Sequence, residues 1–351
     1  MSSTKTLIIL TPGFPADEAD STCLPFIQLF VKACKENHPW LRIEVLSFQY
    51  PFKQAIYNWN GVSVNSFNGR NKGKLTRLMV WWKVWKTMKT LIRQSEVIGI
   101  LSLWLGECAL IGKHFSIRNN LKHFTWLLGQ DAKSNNRYQA ITKPDAHSLI
   151  ALSDSIASEY FKNYKITPGH LIPVGIDTSL FNSCTGTRDI DVMGAGSFIP
   201  LKRYDLFIAV IKQAVEHVPN LSAVICGRGP EKCKLLQLVE EAGLENNITI
   251  LDELPHKEVL KLMQRSKVFL HTSEYEGYAV VCVEAMYAGA HVVSFCQPMK
   301  TTSPQEHIVE TMGEAVSDTL KILQDKDRIH ESVFNYSIQD ISRKMISLFP
   351  M

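Results

Sequence analysis

Val268-Phe269-Leu270-His271 is a short apolar run, followed by the loop Thr272-Ser273-Glu274-Tyr275-Glu276-Gly277, a helix-forming stretch over about 279–287, Gly289 and a second run, Val292-Val293-Ser294-Phe295. Strand, loop, helix, glycine and strand in that order make a β-α-β unit with parallel strands. The alternation continues in both directions. Candidate strands in the second half are 191–194, 223–226, 248–251, 268–271 and 292–295, and in the first half 6–10, 43–48, 98–101, 124–128 and 148–152. A chain of 351 residues is longer than one core usually serves, so two α/β domains are expected. Their boundary should fall near 172–188, where Pro173, Gly175 and Gly186 accompany a polar stretch without periodicity.

Hydrophobic residues make up 45% of the chain and charged residues 21%, ordinary for a folded protein and unlike a disordered one. A net charge of only +4 is too small an excess over 351 residues to suggest nucleic acid as a global partner. The eight cysteines form no CxxC pair and several lie in apolar runs, so they read as reduced thiols of a cytoplasmic protein. The apolar start, Leu7 to Leu10, is stopped by Pro12 and Gly13, which fits a first strand and not a signal peptide. No stretch approaches the ~18 apolar residues of a membrane-spanning helix.

Ligands of open parallel sheets bind beyond the carboxyl ends of the strands, so the loops after each strand carry the chemistry. Where the loop after 268–271 enters its helix, the amides of Gly277, Tyr278, Ala279 and Val280 lack intrahelical partners, and the helix dipole adds positive charge. An anionic diphosphate suits such a place. Glu276 precedes the helix, and Glu284 lies inside it among Val280, Val281, Val283, Ala285 and Met286, where a carboxylate requires a donor. Taken alone, Glu276 could be a helix cap, Glu284 the partner of a buried Arg, Lys or Ser, and Lys202 a solvated surface group.

Together, Glu276 and Glu284 resemble the E-x7-E motif of retaining glycosyltransferases of family 4. That resemblance implies the GT-B fold: two Rossmann-like doubly wound α/β domains facing a central cleft, with closure excluding water. It implies an acceptor-binding domain over 1–174, a nucleotide-sugar-binding domain over 175–331, and a C-terminal helix, 332–351, returning to the first. Glu284 would accept hydrogen bonds from ribose hydroxyls and Glu276 would face the transferred sugar. Val192-Met193-Gly194-Ala195-Gly196-Ser197-Phe198-Ile199-Pro200-Leu201-Lys202-Arg203 is similar to the family's segment in which an Arg and a Lys stabilise the leaving diphosphate. Lys202 holds the Lys position, but Ser197 stands where the Arg is usual, leaving Arg203 or Arg228 to compensate. Gly227-Arg228-Gly229-Pro230 resembles the family's glycine-rich strand end, and residues 251–255 lie where the base is laid. In the first half, Gly13 is either what remains of the family's glycine-rich loop near the donor phosphates or a structural turn. Leu128 replaces the usual His of His-Gly-x-Asp, so that the His's sugar contact is either vacant or moved to Asp131, a candidate sugar or acceptor contact.

By this resemblance the chain is a hexosyltransferase-type enzyme in cell-surface polysaccharide or glycoconjugate synthesis. It would take a UDP- or GDP-sugar as donor and a glycan or lipid-linked acceptor, with retention and no metal or other cofactor. Another GT-B enzyme, such as an epimerase or a phosphorylase, and a non-catalytic sugar-nucleotide-binding subunit remain open, since fold does not decide function. A dinucleotide oxidoreductase is disfavoured, because residues 11–15 lack G-x-G-x-x-G. Between Arg70 and Arg93 there are eight cations and no acid, with Trp81, Trp82 and Trp85 among them. Leu78, Trp81, Trp82, Trp85, Met88 and Ile92 share one helical face. That face fits either an anionic membrane surface, placing the protein peripherally on the inner face of the cell membrane, or packing on the sheet with lysines outside.

Overall fold

The computed structural model describes residues 4–20, 23–181, 187–325, 327–333 and 336–350. Gly186 and Cys184 lie outside the described residues; the other seven cysteines form no disulfide. The chain divides into two compact units, residues 1–177 with 336–351, and residues 178–335.

The first unit runs β1 (Lys5–Gly13), α1 (Pro25–Asn37), β2 (Arg42–Tyr50), β3 (Gln54–Trp59), β4 (Val62–Phe67), α2 (Lys74–Gln94), β5 (Glu96–Leu103), α3 (Glu107–Asn119), β6 (Lys122–Leu127), α4 (Arg137–Thr142), β7 (Leu149–Ala151), α5 (Asp154–Tyr164) and β8 (His170–Leu171). Its sheet has the order β3-β4-β2-β1-β5-β6-β7-β8, parallel except for β3 against β4. Central strands such as β1 are buried on both faces, which explains their unbroken apolar runs. The β3-β4 hairpin was not expected from the sequence. Asn60 and Gly61, both at positive φ, make its turn, and β3 is an edge strand with an exposed face and no apolar run to announce it.

The second unit runs β9 (Ile190–Ala195), α6 (Tyr204–Val215), β10 (Ala223–Cys226), α7 (Lys232–Ala242), β11 (Ile248–Leu251), α8 (His256–Gln264), β12 (Ser266–His271), α9 (Val280–Tyr287), β13 (His291–Ser294), β14 (Glu306–Ile308) and α10 (Met312–Gln324). The strand order β11-β10-β9-β12-β13-β14, all parallel, is doubly wound, and it reverses direction between β9 and β12. Val192, Ile225, Val268 and Leu270 pack with Phe207 and Ile211 of α6 in its core. Thr311 and Glu314 close the start of α10 with a reciprocal capping box.

After α10 the chain returns to the first unit, where α11 (Ile338–Ile346) packs on α1. The crossings fall after 177 and near 336, a few residues beyond 174 and 331. The reason is local: Ile176 donates to Tyr336 O and accepts from Ile338, so residues 175–177 are held by the returning chain. A Cβ on Gly175 would stand 2.5 Å from Ile338 N, so only glycine fits that crossing.

Candidate functional site

In a doubly wound sheet the strand loops diverge at the reversal and leave a crevice there. In the second unit that point lies between β9 and β12, and the two loops flanking it are residues 196–203 and 272–279. Thr272 Oγ1 donates to Lys202 O at 2.8 Å, and Glu274 N donates to Leu201 O at 3.0 Å, which ties one loop to the other. These ties bring Lys202 Nζ onto Glu276 Oε1 across 74 residues of sequence. His271, the last residue of β12, points Nε2 toward the same oxygen at 3.4 Å, while its Nδ1 lies 3.0 Å from Ser294 Oγ.

Burial pushes the Glu276 carboxyl up, but His271 and the Lys202 ammonium outweigh it and hold the group at about 2. Glu276 is therefore ionised at neutral pH and cannot serve as a general acid there. It accepts hydrogen bonds instead. It is not the cap of α9: that position is Ala279, at φ 54 and with no side-chain cap. Helix α9 thus begins at Val280 with its first-turn amides uncapped by a side chain, while Tyr278 and Ala279 are buried.

Glu284 is 8% exposed, and the donor it requires is neither Arg, Lys nor Ser but His256, whose Nε2 lies 2.8 Å from Glu284 Oε1. Sequence reasoning missed His256 and His271. His256 directly follows the 251–255 loop, which already pointed there; His271 ends an apolar run and carried no comparable signal.

The glycine-rich strand ends are shaped by contact. A Cβ on Gly227 would lie 1.8 Å from Gly196 O, and one on Gly229 2.2 Å from Phe198 O. Phe198 N donates to Arg228 O at 2.8 Å, locking the loop after β9 on the loop after β10. Ser197 and Arg203 on the first loop are exposed. Arg228 is also exposed and lies 3.7 Å from Glu253.

Gly13 and Asp131 belong to the first unit, and each has a local role. Gly13 sits at a register irregularity of β1, paired with Tyr50. Asp131 is buried, and its carboxylate accepts from the amides of Leu105, Leu128 and Gly129 at 2.9 to 3.3 Å. Burial raises its carboxyl to about 6 against the pull of those amides. Its oxygens hold the loop after β6 against the loop after β5.

The tryptophan face of α2 divides differently from the sequence reading. Val80, Val84, Met88 and Leu91 are buried, Trp81 donates to Glu107 at 2.7 Å, and Trp85 packs edge-on against Phe115. Leu75, Leu78, Met79 and Trp82 stay exposed at helical spacing, with the Lys86 ammonium 5.4 Å over the Trp82 ring. Among the described residues no helix is long and apolar enough to cross a membrane.

Residues 184–300 match the glycosyl transferases group 1 family. The gpi3 subunit of the phosphatidylinositol N-acetylglucosaminyltransferase of Schizosaccharomyces pombe is 28% identical over 155 residues, 41% of this chain and 34% of that protein. The MMP alpha-(1->4)-mannosyltransferase of Mycolicibacterium hassiacum is 29% identical over 152 residues, 42% of this chain and 36% of that protein. The chain thus spans less than half the length of these curated relatives. Anabaena HepE, solved with UDP and glucose, is 17% identical and aligns with 98% of both chains at a TM-score of 0.72. The fold is GT-B.

Proposed function

We propose that the chain, whose residues 184–300 match the glycosyl transferases group 1 family, transfers a sugar from a nucleoside diphosphate to a glycan or lipid-linked acceptor, with retention of configuration and no metal ion. The observation that carries this reading is the Lys202–Glu276 pair, set beside an uncapped helix start at the reversal point of the second sheet. A cation and backbone amides converging there suit a diphosphate, and an ionised carboxylate beside them suits sugar hydroxyls. A neighbour solved with UDP and glucose favours a UDP-linked donor, and a relative named for phosphatidylinositol favours a lipid acceptor.

In the reaction the carbon–oxygen bond between sugar C1 and the diphosphate breaks, and the acceptor hydroxyl attacks from the same face. Its proton passes to the departing diphosphate. Lys202 exchanges its contact with Glu276 for the diphosphate and, with the α9 amides, stabilises the charge that develops on it. Glu276 stays ionised and orients the sugar. The exposed face of α2, apolar at Leu75, Leu78, Met79 and Trp82 and cationic at Lys86, Lys89 and Arg93, would hold the protein on an anionic membrane near a lipid acceptor.

A second reading, a non-catalytic binding subunit, is favoured by the exposed Ser197 in the place of the family's Arg. Thermal-shift screening against nucleoside diphosphates and their sugars tests the donor site: ligand at 100 times its Kd should add about 2.7 kcal/mol. No stabilisation by any of them would sink the proposal. Transfer or donor hydrolysis that disappears in Glu276→Ala rejects the second reading.

A further inference from the structure

His256 is the first residue of α8, directly after Pro255, so it stands at the carboxyl end of β11 with the other ligand-side loops. Its partner Glu284 lies in the second turn of α9, flanked by Cys282, Val283, Ala285 and Met286, all buried. An ionised carboxylate so placed is costly unless donors reach it, and His256 serves only Oε1. No protein group among the described residues hydrogen-bonds to Oε2. A carboxylate with one oxygen held by a fixed donor and the other left open is a preorganised acceptor for a hydroxyl. The His256 ring is about one-third exposed at its side chain, against 11% for Glu284, so the pair is reached from the solvent side through the histidine.

We propose that His256 is a positioning residue for the donor's ribose: by donating from Nε2 to Glu284 Oε1 it fixes the carboxylate so that Oε2 receives the 2′ and 3′ hydroxyls. The inference rests on the donor-site reading above, since it needs a nucleoside diphosphate in that site. It makes His256 act through Glu284 and not on the base or the diphosphate. Its effect on affinity must therefore depend on the presence of the ribose hydroxyls.

Isothermal titration calorimetry with UDP and GDP, and then with the 2′,3′-dideoxy form of whichever binds the wild type more tightly, makes the test. His256→Ala should weaken the ribonucleotide about tenfold while leaving the dideoxy form within about twofold. His256→Gln, which can offer an amide N–H in a similar place, should recover most of the loss. Circular dichroism checks that both variants remain folded. Equal losses for the two nucleotides would assign His256 a merely structural role and overturn the inference. Tighter ribonucleotide binding by His256→Ala would overturn it as well, making His256 a competitor for the carboxylate. If neither nucleotide binds the wild type, the donor-site reading itself falls and takes this inference with it.

Discussion

Replacing Lys202 with Met removes the ammonium that faces Glu276 and leaves the carboxylate partly buried, with only His271 beside it. The two side chains are 20% and 18% exposed, so the charge left behind is poorly solvated. A carboxyl held at about 2 in the fold against 4.5 in the unfolded chain is worth about 3 kcal/mol at neutral pH. Lys202 and His271 share that work against the cost of burial, so Lys202→Met should cost about 2 kcal/mol. The sign follows from a folded value below the unfolded one. The contribution is present above about pH 4.5 and is lost as pH falls toward 2. Urea denaturation of both proteins between pH 3.5 and 8 should show a gap that is steady at the upper end and narrows at the lower end, with unchanged slope. Glu276→Gln, which forfeits the whole contribution of the ionised carboxylate and not Lys202's share of it, should cost more than Lys202→Met. A gap independent of pH, or equal costs for the two substitutions, would refute the electrostatic reasoning whatever either variant does to transfer.

Gly227→Ala should destabilise by about 3 kcal/mol, because the new Cβ meets the carbonyl of Gly196, which cannot swing away. Gly106→Ala, where nothing lies within 4 Å, should be near neutral in the same melts. Vesicles containing anionic lipid should float the wild-type protein but not a Leu78→Glu/Trp82→Glu variant, and Lys86→Glu/Lys89→Glu should float less; equal recovery of all three rejects the membrane face. Burial lowers His291 to about 4, beside His307 and His330, which are lowered too. Stability from keeping it neutral is full above about pH 6.5 and is lost as pH falls to 4, so the melting temperature should drop over that window, and less in His291→Gln.

What was legible in the sequence followed from local rules. The buried parallel strands of the second unit announce themselves as apolar runs, and 223–226 and 248–251 coincide with β10 and β11. The uncapped start of α9 was visible because a loop, a glycine and a helix succeed one another. What was not legible depends on contacts between distant segments. Nothing near Glu284 points to His256, because that pairing exists only once β11 and β12 lie in one sheet and α8 packs on α9. Asp131 shows the same limit from the other side. The amides of Leu128 and Gly129 are its neighbours in the chain, but that of Leu105 reaches it only after the loops following β5 and β6 meet.

Helix α2 makes the limit most concrete. Helical spacing alone places Trp81, Trp82 and Trp85 on one side, but a helix has no reference direction until a neighbour supplies one. The sheet and α3 supply it here: Glu107 takes the Trp81 indole and Phe115 takes the Trp85 ring. That fixes Val80, Val84 and Met88 as the buried seam and turns Trp82 outward. The side that remains carries Leu75, Leu78, Met79 and Trp82 toward its start and Lys86, Lys89 and Arg93 toward its end. The packing and membrane readings of this helix are therefore not rivals. The sheet takes one side, and the exposed side still combines large apolar groups with positive charge, as an interfacial helix requires.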